Sequence, residues 1–232
     1  YPTPASAQDA EMSLDQYEDF VFRAGLLHLD DPAAAWKAIG ERQQRLCDWL
    51  STKKELRFTA EGTDLVVPVK GGTWINCCGR ENFPDGEVFC GPQGADGTVA
   101  FSFPAVHNGR EALGVRLTFR DGRVTDAHAD KNEDFLHQML EMDDGARMMG
   151  EIAVGTNFAI TEFTRNTLFD EKIGGTFHLA VGAGYPERGN SNESGLHWDM
   201  VCDLRKGGRI EADGEAFLEN GKFLKAEWPG NG

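Results

Sequence analysis

Thr52-Lys53-Lys54-Glu55-Leu56-Arg57-Phe58-Thr59-Ala60-Glu61-Gly62-Thr63-Asp64-Leu65-Val66-Val67-Pro68-Val69 is where the sequence changes its period. Leu56, Phe58 and Ala60 alternate, Gly62 turns the chain, and Leu65, Val67 and Val69 alternate again. Alternate residues of a strand share a face, so two such runs about a glycine read as a β-hairpin. The pattern continues downstream. Val115, Leu117 and Phe119 lead into Asp121-Gly122, a dipeptide suited to a two-residue hairpin turn, and then Val124. Asp213-Gly214 and Asn220-Gly221 mark further turns, and the spacing predicts a helix over 133–142, ahead of Asp144-Gly145. The residues from Pro229 to Gly232 read as a loose tail.

Upstream of Thr52 the period is helical. Ser13 with Gln16 three residues on makes a capping box, followed by Leu14, Tyr17, Phe20, Val21 and Ala24 at helical spacing. Asp31-Pro32 opens a second helix, whose Trp36, Ile39, Leu46 and Leu50 fall on one broad face. The expected fold class is therefore α+β: a mixed, largely antiparallel sheet with few helices, preceded by a two-helix segment. The expected boundary lies near residues 51–55.

The chain has 232 residues, 40 % hydrophobic and 26 % charged, the balance of an ordinary globular protein. Its net charge of −15 argues against nucleic acid and against anionic membrane surfaces as partners. No stretch approaches the length of a membrane-spanning helix. Five cysteines, Cys47, Cys77, Cys78, Cys90 and Cys202, include no CxxC pair, which excludes a zinc ribbon and points to reduced thiols in a cytoplasmic setting.

His197-Trp198-Asp199 lies in an apolar run from Leu196 to Leu204 that reads as a strand. There the imidazole and the carboxylate project from one face and Trp198 from the other. His178 sits among small and apolar residues in Gly174-Gly175-Thr176-Phe177-His178-Leu179-Ala180-Val181-Gly182, where a buried ring needs partners for its nitrogens. Glu87 in Pro84-Asp85-Gly86-Glu87-Val88-Phe89 and Glu151 in Gly150-Glu151-Ile152-Ala153-Val154-Gly155-Thr156-Asn157 each follow a glycine at a strand start. A carboxylate buried in such a place must be paired or metal-bound. Two histidines and three carboxylates suit a pair of divalent ions such as Zn, Co or Mn, although spacing alone does not say that the five residues meet. Solvated turn acids and a His–Asp pair that merely holds a strand remain open as alternatives. The sequence contains no GxSxG elbow, HExxH helix or GxxxxGK[ST] loop.

Taken in order, Asn82-Phe83-Pro84-Asp85-Gly86-Glu87-Val88-Phe89, Gly150 to Asn157, Phe169-Asp170-Glu171-Lys172-Ile173-Gly174-Gly175-Thr176-Phe177-His178 and His197-Trp198-Asp199 resemble the thermophilic-type metalloaminopeptidases, the aminopeptidase T and aminopeptidase S family. The resemblance covers essentially the whole chain, with Phe83 and Cys90 standing where Met and Thr are expected. It implies a two-metal exopeptidase acting on peptides, homodimeric and cytoplasmic. It further implies metal ligands at Glu87, Glu151, His178, His197 and Asp199, a catalytic proton acceptor at Glu87 or Glu151, and an oxyanion donor at Tyr185. Family members carry an additional amino-terminal α/β domain. The chain is thus expected to lack that domain, with residues 1–52 as its helical remainder and 53–232 as the metal-binding catalytic domain. Two other readings are weighed: a mononuclear iron ring-opening dioxygenase using His178, His197 and Asp199, and a metal-binding remnant without activity.

Overall fold

The computed structural model describes residues 1–80 and 82–230. Three helices come first: α1 (Pro4–Asp9), α2 (Leu14–Ala24) and α3 (Pro32–Leu50). Nine strands follow: β1 (Glu55–Ala60), β2 (Thr63–Pro68), β3 (Ile75–Cys77), β4 (Glu87–Cys90), β5 (Asp96–Ala100), β6 (Ala105–His107), β7 (Arg110–Ala112), β8 (Arg116–Arg120) and β9 (Arg123–His128). Helix α4 (Glu133–Leu140) leads to β10 (Met149–Gly155), and α5 (Thr167–Asp170) to β11 (Thr176–Gly182). A 3-10 turn at Pro186–Arg188 precedes β12 (His197–Asp203), β13 (Arg209–Ala212), β14 (Glu215–Glu219) and β15 (Lys222–Phe223).

The strands form an eight-stranded sheet, β15-β14-β13-β1-β2-β5-β8-β9, a five-stranded sheet, β12-β11-β10-β4-β3, and the pair β6-β7. The α+β class and the antiparallel pairing stand as expected. Among the described residues the parallel element is limited to an isolated bridge between Asn157 and Ile173. The opening hairpin pairs Leu56 with Val67 and Phe58 with Leu65. At Asp121-Gly122, Asp213-Gly214 and Asn220-Gly221 all six residues have φ between 48° and 81°, the left-handed backbone that tight hairpin turns require.

The two large sheets share one core. Phe58 of the first meets Phe177 of the second with ring centroids 4.5 Å apart, a pairing worth about 0.5–1.5 kcal/mol beyond the area it buries. Leu56, Leu65, Ile152, Val154, Leu179, Val181 and Trp198 close the same core, and so do Leu46, Cys47 and Leu50 of α3. A smaller cluster joins Ala7, Tyr17, Phe20, Val21 and Ala24 to Ile160, Phe169 and Ile173. Helices α1 and α2 therefore cover the segment that leads into β11.

The Ser13 capping box forms, with Ser13 Oγ accepting from the Gln16 N–H and Gln16 Oε1 from the Ser13 N–H. Leu14, expected on the packed face, is exposed because the buried stripe runs through Tyr17, Phe20, Val21 and Ala24. The end of the chain is better fixed than its sequence suggests. Trp228, just ahead of the expected tail, packs against Trp49 at a tilt with centroids 4.9 Å apart; within the tail Pro229 is buried and Gly230 exposed, and residues 231–232 lie outside the described residues. None of the five cysteines is in a disulfide. Among the described residues no helix is long and apolar enough to cross a membrane.

Candidate metal centre

Strands β10 and β11 are buried along their whole length, so both faces of the five-stranded sheet are covered. One face carries Phe177, Leu179, Val181 and Trp198 into the core. The period of two then sends His178, His197 and Asp199 to the other face. Register brings the remaining residues alongside. Glu87 pairs with Gly155, His178 with Ala153, Asp199 with Ala180, Glu151 also with Ala180, and His197 with Gly182. Each polar side chain thus has a glycine or alanine beside it, which leaves room for the polar groups to converge. Gly182 is irreplaceable in this respect: its φ is +101°, and an added Cβ would stand 2.2 Å from the Leu196 carbonyl oxygen.

The five side chains expected from the sequence do converge. His178 Nε2 lies 3.2 Å from Glu87 Oε2 and 3.3 Å from Glu151 Oε1. His197 Nε2 lies 3.8 Å from Glu151 Oε2 and 3.4 Å from Asp199 Oδ2. Glu151 therefore turns one oxygen toward each histidine. Two sets of donor atoms, Glu87/Glu151/His178 and Glu151/His197/Asp199, each lie within 4.8 Å of one another and share Glu151. Tyr185 stands at the mouth, its ring centroid 5.5 Å from that of His197 and 5.6 Å from that of Phe89. The cluster opens into a cavity of about 250 Å³, whose lining adds Cys77, Asn82 and Glu171. A larger cleft of about 510 Å³ between α3 and β3 holds no comparable donor set, so chemistry rather than volume marks the site.

Neighbouring segments hold the donors in place. Gln43 of α3 donates from Nε2 to the backbone oxygens of Cys77 and Glu87, at 2.8 and 2.9 Å. Asn157 Nδ2 ties the Ala24 and Asp85 carbonyls together just ahead of Glu87. His197 Nδ1 lies 2.9 Å from the Ala183 carbonyl oxygen, which can only accept. Nδ1 therefore carries a proton and donates it to this carbonyl, which leaves Nε2 turned to the carboxylates.

The electrostatics are those of an acid cluster short of cations. Burial raises the Glu151 carboxyl above its usual range, and neighbouring Asp199 and Glu87 add to the rise while His178 opposes it. Burial acts the same way on Glu87, but His178 and Lys172 outweigh it and hold that carboxyl below its usual range. Glu171 is pushed up to about 8 by burial and by the charges of Glu87 and Asp199. Burial disfavours the His178 cation, yet its contacts with Glu151 and Glu87 carry its pKa well above normal. A single Nε2 proton cannot serve two carboxylates, and Glu87 Oε2 has no hydrogen-bond partner; nor do His178 Nδ1 and Asp199 Oδ1. Burial, then the field of Glu151 and Asp199, raise the Tyr185 hydroxyl, which stays protonated.

Residues 1–223 match the family model described as thermophilic metalloprotease (M29). The chain belongs to this family. It is 35 % identical to aminopeptidase 2 of Geobacillus stearothermophilus over an alignment of 268 positions, gaps included, covering 98 % of this chain and 63 % of that one. Its fold is similar to that of wild-type AmpT from Thermus thermophilus, with a TM-score of 0.79 and 26 % identity over 91 % of this chain and 59 % of that one. The chain thus spans less than two thirds of the length of these relatives. A 2,5-dihydroxypyridine dioxygenase from Pseudomonas putida KT2440 is also similar, with a TM-score of 0.67 over 86 % of this chain and 65 % of that one. At 16 % identity it shares the fold alone.

The residues present fit the divalent metal of a thermophilic metalloprotease. Glu87 and Glu151 are each 5 % exposed and His178 is fully buried. Buried carboxylates are costly without a counter-charge, and here oxygens face inward with no protein donor. The sequence also left two members of the site without a role. Glu171 forms a further donor group with His178 and Asp199, and Lys172 lies 3.2 Å from Glu87 while contacting Glu171. Both follow α5, in a stretch where charged residues read as solvated, and only the apolar Ile173-Gly174-Gly175 beyond them hints at burial.

Proposed function

We propose that this chain is the metal-binding part of an aminopeptidase that holds two divalent ions, Zn, Co or Mn, and releases N-terminal residues from peptides. The observation that carries this reading is the sharing of Glu151 between two three-donor groups. One group supplies Glu87 and His178, the other His197 and Asp199. Such a pair of ions, when bound, polarises a carbonyl and lowers the pKa of bound water toward neutrality. Glu87 and Glu151 are the carboxylates placed to take and return a proton. Tyr185, kept protonated, donates a hydrogen bond to the oxyanion that forms at the attacked carbonyl. The cavity wall formed by Glu171 and Asp199 suits the ammonium of a free amino terminus. In this reading residues 53–232 carry the donors, and residues 1–52 brace them through Gln43 and Ala24. The homodimeric, cytoplasmic setting belongs to the same proposal and rests on the family resemblance.

The test is elemental analysis of the purified chain alongside hydrolysis of a leucine anilide, with and without chelator. Close to two Zn, Co or Mn per chain with chelator-sensitive hydrolysis is expected. One iron per chain would turn the assignment to the dioxygenase chemistry, and bound metal without hydrolysis to an inactive remnant. Glu87→Gln and Glu151→Gln then separate roles: a lost ion marks a ligand, and a retained ion with lost turnover marks the proton acceptor.

A further inference from the structure

Lys172 is a fully buried lysine that no step above uses. Its Nζ contacts Glu171 Oε1 and lies 3.2 Å from Glu87 Oε1. Glu87's other oxygen, Oε2, points to His178 Nε2 at 3.2 Å and has no hydrogen bond. Lys172 thus occupies one oxygen of Glu87 and leaves the second turned into the donor set. The lysine thus holds Glu87 and Glu171, and these join Glu151 and Asp199 through the donor sets around His178.

We infer that Lys172 is the resident counter-ion of the centre, a positioning residue that holds Glu87 as a one-oxygen donor and keeps the carboxylate cluster folded when no divalent ion is bound. This rests on the metal-centre reading above. The physical reason is a division of labour between two cations. In the metal-free chain Lys172 meets Glu87 on one oxygen while His178 faces the other, and removing the lysine would leave Glu87 and Glu171 buried without the cation they share. In the loaded chain the ions neutralise the same carboxylates, and Lys172 at close range repels them. Loss of its charge must therefore damage the metal-free state more than the loaded one. By linkage, metal must bind more tightly to the variant by the same factor. A lysine that served only to fill space would destabilise both states equally on removal and leave metal affinity unchanged.

The experiment compares the wild-type chain with Lys172→Met, which keeps the length of the side chain and removes its charge. Thermal unfolding is followed in chelator and in saturating Zn²⁺, and the Zn²⁺ dissociation constant is measured by competition with a chromophoric chelator. The unfolding temperature is expected to fall much further in chelator than in Zn²⁺, with the dissociation constant lowered about tenfold or more. Equal falls with unchanged or weakened Zn²⁺ binding would overturn the inference. If Lys172→Met does not fold without metal, the double variant Lys172→Met/Glu171→Gln removes one carboxylate with the lysine. It is expected to fold in chelator and to bind Zn²⁺ nearer the wild-type affinity; a double variant that stays unfolded in chelator overturns the inference. Wild-type chain that binds no Zn²⁺ would overturn the metal-centre reading itself, whereas Zn²⁺ binding equal in both chains strikes only the role of Lys172.

Discussion

Phe177 and His178 are neighbours in the chain, and both are fully buried, yet they stand on opposite faces of the five-stranded sheet. On the face of Phe177, the side chains of Leu179, Val181 and Trp198 close against the eight-stranded sheet and are held by the removal of apolar area from water. On the face of His178, carboxylates and imidazoles converge, each with a glycine or alanine paired beside it. The difference teaches that burial has two meanings within one strand. The apolar face is buried because the fold is stabilised by it. The polar face is buried because neighbouring segments cover it, and it leaves unsatisfied oxygens on Glu87 and Asp199. A substitution on the first face should therefore be read in stability, and one on the second in metal content and turnover.

The sharpest way to break this comparison is to substitute both neighbours. His178→Ala is expected to abolish hydrolysis and strip the chain of metal, since it removes the ring that meets Glu87 and Glu151; elemental analysis and an anilide assay check it, and normal turnover would sink the site assignment. Phe177→Ala should cost about 3–5 kcal/mol of stability in denaturant titration, from lost packing and the cavity left behind. The chain that remains folded should keep its metal, and loss of metal without loss of stability would mean that the two faces are not independent.

Smaller effects sharpen the picture. Tyr185→Phe should lower kcat about 10²-fold with metal content unchanged, because the ring still packs beside Phe89 and His197 while the donor is gone. The smallest effect concerns Asp170, away from the donors. Burial pushes its carboxyl up to about 7, although the backbone N–H and hydroxyl of Thr164 both donate to it. The folded chain therefore keeps this proton to about pH 7, whereas the unfolded chain releases it near 3.8. Over that window the unfolded state binds fewer protons, so stability falls as pH rises, and the loss is complete above about 7. Asp170→Asn can still accept from Thr164, and it should flatten the fall. Unfolding temperatures measured from pH 4 to 8 read it, at about 2–4 °C for each kcal/mol in a chain of this size.

Local signals in the sequence were enough for the hairpins and the helix starts. Asp-Gly and Asn-Gly turns demand a left-handed backbone, and Ser13 and Asp31 satisfy N–H groups within three residues of themselves. Leu14 is exposed because helical spacing gives a stripe but not its width, and Pro229 is buried where the sequence suggests a loose end because Trp228 before it packs on Trp49, far away in the chain.

The donor residues themselves were legible, since a histidine among apolar residues and two residues of a strand sharing a face are facts of spacing. That they meet was not, because Glu87 and Asp199 are brought together by strand order and register. Nor does the sequence announce that Glu151 faces both histidines, or that Lys172 is buried against Glu87. A charged residue after a short helix reads as solvated, but Phe169 and Ile173 on either side of it pack against α1 and α2, and Lys172 is buried against Glu87. The sequence by itself determined the α+β class, the main hairpins, helices α2 to α4 and the candidate ligands, all set by neighbours a few residues apart, while α1 and the short strands β3, β6 and β7 carry too few periodic residues to be read. The tertiary structure alone decided which of those side chains share one dry cavity, because that depends on contacts between residues distant in the chain.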